Sequence, residues 1–148
     1  MKALLQRVSF AGVEVDGRTV AQIGVGLLVF LGVARGDGES DARSLAAKTA
    51  HLRIFPDQEG KMNHSLLEIG GEALVVSQFT LLARSRRGRR PDFLEASPPE
   101  EASRLCESFL NALQGLGIRT QAGAFQSRMK VSLTNDGPVT ILLDNREN

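Results

Sequence analysis

Apolar positions along the chain change their period several times, and each change marks a new element. Residues 4–10 are apolar-rich and stop before Gly12, and residues 13–15 and 20–25 flank the dipeptide Asp16-Gly17. Asp-Gly between β-branched residues predicts a two-residue hairpin. Residues 26–33 are almost unbroken apolar, as in a strand covered on both faces. From Asp37-Gly38-Glu39-Ser40 to about residue 53 the period lengthens to that of a helix. Leu45, Thr49 and Leu52 fall on one stripe there, with Ala42, Ala46 and Ala50 beside it. Residues 73–80 read as another buried strand. Ser97-Pro98-Pro99-Glu100 then predicts a helix start, with a Ser N-cap, Pro in the first position and Glu placed for a capping box. Ala102, Leu105, Phe109, Leu113 and Leu116 follow at spacings of three or four, and Gly115 and Gly117 end the helix. The tail returns to strands over residues 118–122, 129–134 and 139–144. Between the last two, Asn135-Asp136-Gly137-Pro138 has the composition of a tight hairpin turn.

The order is therefore three strands, helix, strand, helix, three strands. Direct strand-to-strand connections at both ends argue against a doubly wound parallel sheet. The pattern predicts an α+β domain, a mostly antiparallel, barrel-like sheet carrying two main helices. At 148 residues, without repeat or linker, the chain has room for one core, and residues 1–148 read as a single domain. No apolar run approaches the roughly 20 residues that cross a bilayer, so no membrane association is expected. The polar residues Lys2, Gln6 and Arg7 interrupt the start too early for a signal-peptide apolar region. A lone Cys106 cannot form an internal disulfide, which fits a reducing compartment and makes the cytoplasm the expected location.

A net charge of +1 does not advertise a nucleic-acid partner, but the distribution is uneven. Arg84, Arg86, Arg87, Arg89 and Arg90 place five guanidinium groups in seven positions with no acid among them. Such a run is either a solvated basic loop or a face turned to phosphate, whose oxygens suit the forked donors of arginine. Metal chemistry lacks ligands: the two histidines, His51 in the first helix and His64 in a loop, are accompanied by no Cys-His cluster, so no metal and no cofactor is expected. Cys106 sits among the apolar positions of the second helix, as a packed side chain does. No Gly-rich phosphate loop follows a strand, and no acid stands in a context that marks it as catalytic. What remains are polar residues at strand ends. Ser77-Gln78-Phe79-Thr80 closes the apolar run 74–76, where hydroxyl and amide groups either satisfy a turn or face a ligand from a rigid support.

At these two motifs the sequence resembles a known family. Ser77-Gln78-Phe79-Thr80, with Asn135-Asp136-Gly137-Pro138-Val139-Thr140, is similar to the paired signature of the D-aminoacyl-tRNA deacylases, also called D-tyrosyl-tRNA deacylases. Leu5-Gln6-Arg7-Val8, Gly26-Leu27-Leu28-Val29, Leu52-Arg53-Ile54-Phe55, Gly60-Lys61-Met62-Asn63 and Gly88-Arg89-Arg90-Pro91 match in order, so the resemblance covers essentially the whole chain. It implies a hydrolase of the ester joining a D-amino acid to tRNA, active also on glycine mischarged onto tRNA for alanine. It further implies a homodimer in which a cis Gly137-Pro138 element enters the partner's pocket and leaves no space for an L side chain, so that selection works by rejection. Ser77, Gln78, Phe79 and Thr80 then line the pocket for the aminoacyl ester and terminal adenosine, as its catalytic residues. An unactivated Thr80 hydroxyl is a poor nucleophile. The chemistry implied instead has the tRNA's own 2′-hydroxyl assist water, with backbone amides near Phe79 and Thr80 receiving the oxyanion. The resemblance also gives Arg7 and Asn135 a supporting role and Phe125 and Met129 a place against the adenosine, while the basic run makes Arg86, Arg87, Arg89 and Arg90 the candidates for contact with the tRNA.

One segment departs from the family pattern. Between Phe125 and Met129 the family carries two small residues and an acid, whereas this chain has Gln126, Ser127 and Arg128. Arg128 is thereby a candidate for RNA phosphate, and His64 stands where an apolar residue is common. Two alternatives share parts of the signal: a related aminoacyl-tRNA proofreader of relaxed chirality, with a trans Gly-Pro bond, and a noncatalytic RNA-binding module built on the arginine loop. Intact Ser77-Gln78-Phe79-Thr80 favours the strict D-specific type.

Overall fold

The computed structural model describes residues 1–85 and 88–147. Its elements in chain order are β1 (Lys2–Val15), β2 (Arg18–Ile23), β3 (Gly26–Gly32), α1 (Glu39–His51), β4 (Phe55–Pro56), β5 (Met62–His64), β6 (Glu72–Ser77), a 3₁₀ turn (Phe79–Leu82), α2 (Pro99–Gly115), β7 (Arg119–Ala122) and β8 (Lys130–Asp144). The expected hairpin is present: Val15 pairs with Arg18, and Asp16 and Gly17 take the two positive φ values, 50° and 76°, that such a tight turn needs. Gly12 does not end a strand. It pairs on both sides, with Gln22 and Ser132, inside one 14-residue strand.

Six strands form one curled sheet in the order β2-β1-β3-β6-β7, with β8 also on β1. The sheet is mixed rather than mostly antiparallel, because β3 and β6 pair in parallel, as do β6 and β7. The cause is covalent: each of these pairs is joined through a helix, α1 or α2, and a helical crossover returns the chain in the direction it left. β2 and β7, at opposite ends of the strand order, have Cα atoms within 8 Å of one another, so the sheet is nearly a closed barrel. β4 and β5 form a separate small hairpin, which puts His64 at a strand end rather than in a loop.

The unbroken apolar run of β3 is buried on both faces, by alternation. Leu28 points into the barrel with Val8, Ala11, Val13, Ile23, Leu74 and Val76. Leu27, Val29 and Leu31 face outward against the helices, with Ala46 of α1 and Leu105, Phe109 and Leu113 of α2. α1 offers mostly alanine to this layer, which lets α2 approach closely. Its N-terminus is held by Asp41, whose carboxylate accepts the Gly38 N–H at 2.8 Å. α2 begins one residue later than predicted: Pro98, not Ser97, is the cap, and no side chain caps it. The Ser97 N–H is instead spent on Val33 O at 2.9 Å, which ties the helix start to the end of β3. Among the described residues no helix is long and apolar enough to cross a membrane.

The larger departure lies in the tail. Residues 129–134 and 139–144 do not pair with each other across a hairpin; both pair antiparallel with β1, as one strand, β8. Thr140 pairs with Gln6 and Asn135 with Val8, so Arg7 alone stands opposite the four residues 136–139. Pro138 has no N–H for the ladder and Gly137 adopts φ +135°, so the surplus bulges outward while β1 runs on.

Phe109 is fully buried where α2 meets the sheet. Phe109→Ala should destabilise the protein by about 3–5 kcal/mol, the usual cost of deleting a buried ring. Urea or thermal unfolding checks this, and a loss below about 1 kcal/mol would show that the helix layer does not rest on it.

Candidate active site

The apolar run of β6 surfaces at Ser77, where the Gln78 N–H makes its bond to β3 at Leu31 O, 2.8 Å away. The chain then turns at once into the 3₁₀ helix. That turn can settle on β3 because residue 32 is glycine: a Cβ there would lie 2.5 Å from Leu82 Cδ2 and 3.2 Å from Gln78 O. In the turn, Leu81 N–H reaches back to Gln78 O at 3.2 Å, so the amides of Phe79 and Thr80 precede the first internal bond. Gln78 donates from Nε2 to Thr80 Oγ1.

Beside this turn lies a cleft of about 850 Å³. One wall is the strand end itself, Ser77, Gln78 and Phe79. Another is the approach to α2, including Phe93 and Pro98, and the third is the segment from Phe125 to Met129 that joins β7 to β8. The Phe79 ring is 55% exposed and meets Phe93 edge to face, with centroids 5.0 Å apart. A flat apolar ligand part finds aromatic surface here, and the hydroxyl and amide groups of the strand end are aimed beside it.

Ser77 also faces inward, lining a smaller pocket of about 230 Å³ with Cys106. Burial pushes the Cys106 thiol up to about 11, and a hydrogen bond with Ser77 offsets part of that shift. The thiol is therefore a packed, protonated floor to the strand end and not a nucleophile. Among the described residues, neither histidine and no aspartate or glutamate lines the cleft. Among the described residues no three His, Cys, Asp or Glu side chains are grouped to hold a metal ion.

The bulge of β8 forms a second locus. The Gly137-Pro138 peptide bond is cis, and both residues are exposed. Arg7 holds the base of the bulge: its Nε donates to Asp136 O at 2.9 Å and its Nη1 to Ile54 O at 2.7 Å. Gly137 takes φ +135°, which side chains rarely adopt, and a Cβ there would also lie 2.9 Å from Val139 Cγ2 and 3.1 Å from Val139 N, so the position favours glycine. Asn135 clips the neck, accepting the Val139 N–H at 3.1 Å and donating to Thr140 Oγ1 at 3.0 Å. Gln6 donates to the same hydroxyl at 3.2 Å.

Of the residues singled out in the sequence, Ser77, Gln78, Phe79, Phe125 and Met129 come together in the cleft. Thr80 is exposed at its edge and is not part of the lining. Arg7, Asn135, Gly137 and Pro138 come together at the bulge and do not line the cleft of their own chain. Arg89 and Arg90 are exposed outside the cleft, and Arg86 and Arg87 lie outside the described residues. The arginine run is less bare of acids than it reads, since Arg84 pairs with Glu95 at 2.8 Å. Sequence reading missed Phe93 and Arg35 as cleft residues. Phe93 left one signal, an aromatic residue in the loop before the second helix; Arg35, just past β3, left none.

The fold and the two loci define a small α+β protein with an aromatic, hydroxyl-rich cleft whose described lining contains no histidine, aspartate or glutamate. A family model described as D-Tyr-tRNA(Tyr) deacylase matches residues 4–144. The D-aminoacyl-tRNA deacylase of Roseiflexus castenholzii (strain DSM 13941 / HLO8) is 62% identical over 144 residues, 97% of this chain and 92% of that protein. The solved structure of a c-Myc DNA Unwinding Element Binding Protein is 39% identical and superposes with a TM-score of 0.92, covering 98% of this chain and 99% of the other. A probable eukaryotic D-amino acid tRNA deacylase, 18% identical, shares the fold with a TM-score of 0.81 over 96% of this chain and 97% of its own. The chain belongs to the D-Tyr-tRNA(Tyr) deacylase family, and it is accordingly an enzyme, a hydrolase of ester bonds.

The Cys106 thiol should react with an aromatic disulfide reagent on the order of 100-fold more slowly in the native protein at pH 8 than in denaturant. Labelling at the rate of a free thiol in the folded state would place Cys106 on an accessible surface instead.

Proposed function

We propose that this enzyme hydrolyses D-aminoacyl-tRNA, and glycine mischarged onto tRNA for alanine, to free tRNA and amino acid. The observation that carries the reading is the pairing of an aromatic cleft at Ser77-Gln78-Phe79, without histidine or carboxylate among its described lining, with an exposed, well-held Gly137-Pro138 element that does not line that cleft in its own chain. An exposed element clipped on three sides is built to be inserted somewhere. In a homodimer its place is the partner's cleft, where backbone carbonyls grip the substrate amino group and exclude an L side chain by contact. The working form is then a homodimer in the cytoplasm, acting on the aminoacylated 3′ end of tRNA.

In this mechanism the terminal adenosine packs on the aromatic wall and the ester carbonyl lies at the start of the 3₁₀ turn. The amides of Phe79 and Thr80 stabilise the oxyanion that forms when water attacks. The tRNA's 2′-hydroxyl orients that water, since the cleft lining holds no histidine or carboxylate to act as base. Collapse of the intermediate breaks the bond to the ribose oxygen, which leaves as the tRNA hydroxyl with the proton given up by water. The Thr80 hydroxyl, already engaged by Gln78, positions the turn and does no bond making.

Incubation with a D-aminoacyl-tRNA and its L counterpart tests the reading. Loss of the D ester with at least about 100-fold preference over L is expected from steric rejection worth ~3 kcal/mol. Equal survival of both esters would remove the enzyme reading and leave an RNA-binding module; hydrolysis of both would point to the relaxed-chirality type. Thr80→Ala should keep kcat within about tenfold of wild type, the cost of one positioning hydrogen bond. Abolished turnover in a folded, substrate-binding Thr80→Ala protein would instead make that hydroxyl the nucleophile.

A further inference from the structure

The cleft carries charge of one sign only. Arg35 and Arg128 are in its lining, and no aspartate or glutamate is. Several other arginines have carboxylate partners: Arg84 pairs with Glu95, Arg104 with Glu39 and Glu101, and Arg146 with Asp37. Arg35 and Arg128 have no ion pair among the described residues, and Arg128 has no hydrogen bond among them either. Arg35 is nonetheless held in place. Its N–H donates to Glu95 O and its Nε to Leu94 O, both at 2.8 Å, which leaves the two Nη groups without a protein acceptor among the described residues. Arg128 follows a turn closed by Ser127 N–H on Ala124 O at 3.2 Å, in which Gln126 takes φ +59°. That turn sets Arg128 on the same cleft as Phe125, whose ring wall it adjoins in sequence.

Two unpaired guanidinium groups beside an aromatic wall suit a ligand that combines a flat apolar part with a diffuse anion. Phosphodiester oxygens accept from such forked donors better than a point cation allows. We infer that Arg35 and Arg128 form a clamp for the phosphodiester that links the last two nucleotides of the bound tRNA. The inference rests on the terminal adenosine occupying the aromatic part of the cleft, because its 5′-phosphate then lies one ribose away, at the cleft mouth. The clamp adds an electrostatic anchor at the reacting end, separate from the ester and from the Gly137-Pro138 element. It also gives Arg128, which departs from the family pattern, a use in this chain.

The test is equilibrium binding of the trinucleotide CpCpA, which matches the 3′ end of tRNA, against the same trinucleotide with a neutral methylphosphonate at its last linkage. Wild type should bind the charged form about tenfold more tightly, as two charge-assisted contacts at an exposed site give. The Arg35→Gln/Arg128→Gln protein should bind both forms alike, and its salt dependence should flatten by about 0.7 per lost contact. Arg128→Gln alone removes no contact within the chain, so its fold is safe, and it should narrow the preference part of the way. Equal binding of the two trinucleotides by wild type, no binding of either, or an undiminished preference in the double variant would overturn the clamp. Hydrolysis of D-aminoacyl-tRNA is measured separately: its absence beside an intact charge preference would defeat the proposed function and leave the clamp standing.

Discussion

One ladder organises the molecule: β1 pairs along its whole length with β8, and the two strands do not contain equal numbers of residues between the same rungs. Backbone groups in a buried sheet must be paired, so neither strand can yield its register without losing bonds on both sides of the mismatch. The excess is forced out of the sheet as a bulge, opposite the single residue Arg7. Because β1 is also bound to β3 and β2, it cannot bend to follow, and the bulge inherits the rigidity of the sheet. Every candidate function of Gly137-Pro138 depends on that.

The cleft is fixed by a second consequence of the same sheet. β3 and β6 run parallel, so both have their C-terminal ends on one side of the molecule. There the Gln78 N–H joins Leu31 O and the Ser97 N–H joins Val33 O, bringing the 3₁₀ turn and the start of α2 to neighbouring strand ends. Phe79 and Phe93 meet across the gap left between them. The cleft is thus a by-product of how two crossovers leave a parallel pair, the usual place for a ligand at the carboxyl ends of strands.

The cleft lining and the residues that hold the bulge have no member in common. A single chain therefore holds the cleft and the Gly137-Pro138 bulge without joining them. In the proposed homodimer the exposed, well-clipped bulge of one subunit would meet the cleft of the other. The Arg35 and Arg128 pair belongs to the pocket side, so substrate anchoring and substrate rejection would come from different subunits.

Local periodicity determined much of this protein by itself. The Asp16-Gly17 hairpin, the doubly buried β3, both helices and the strand that ends at Ser77 are all legible, because each depends on contacts within a few residues or on one buried face. The paired motifs, by their resemblance to a family, pointed to the residues of both loci. Tertiary structure alone decided the rest. Asn135-Asp136-Gly137-Pro138 has the composition of a turn, and only the presence of β1 as a common partner makes it a bulge in one strand. Ser97 looks like a cap, but its amide is tied to Val33 O and the helix begins after Pro98 with no side-chain cap. Arg35 and Phe93 reach the cleft from 58 positions apart in sequence through the pairing of Ala34 with Ala96, and no local pattern encodes a contact whose two halves fold in different elements.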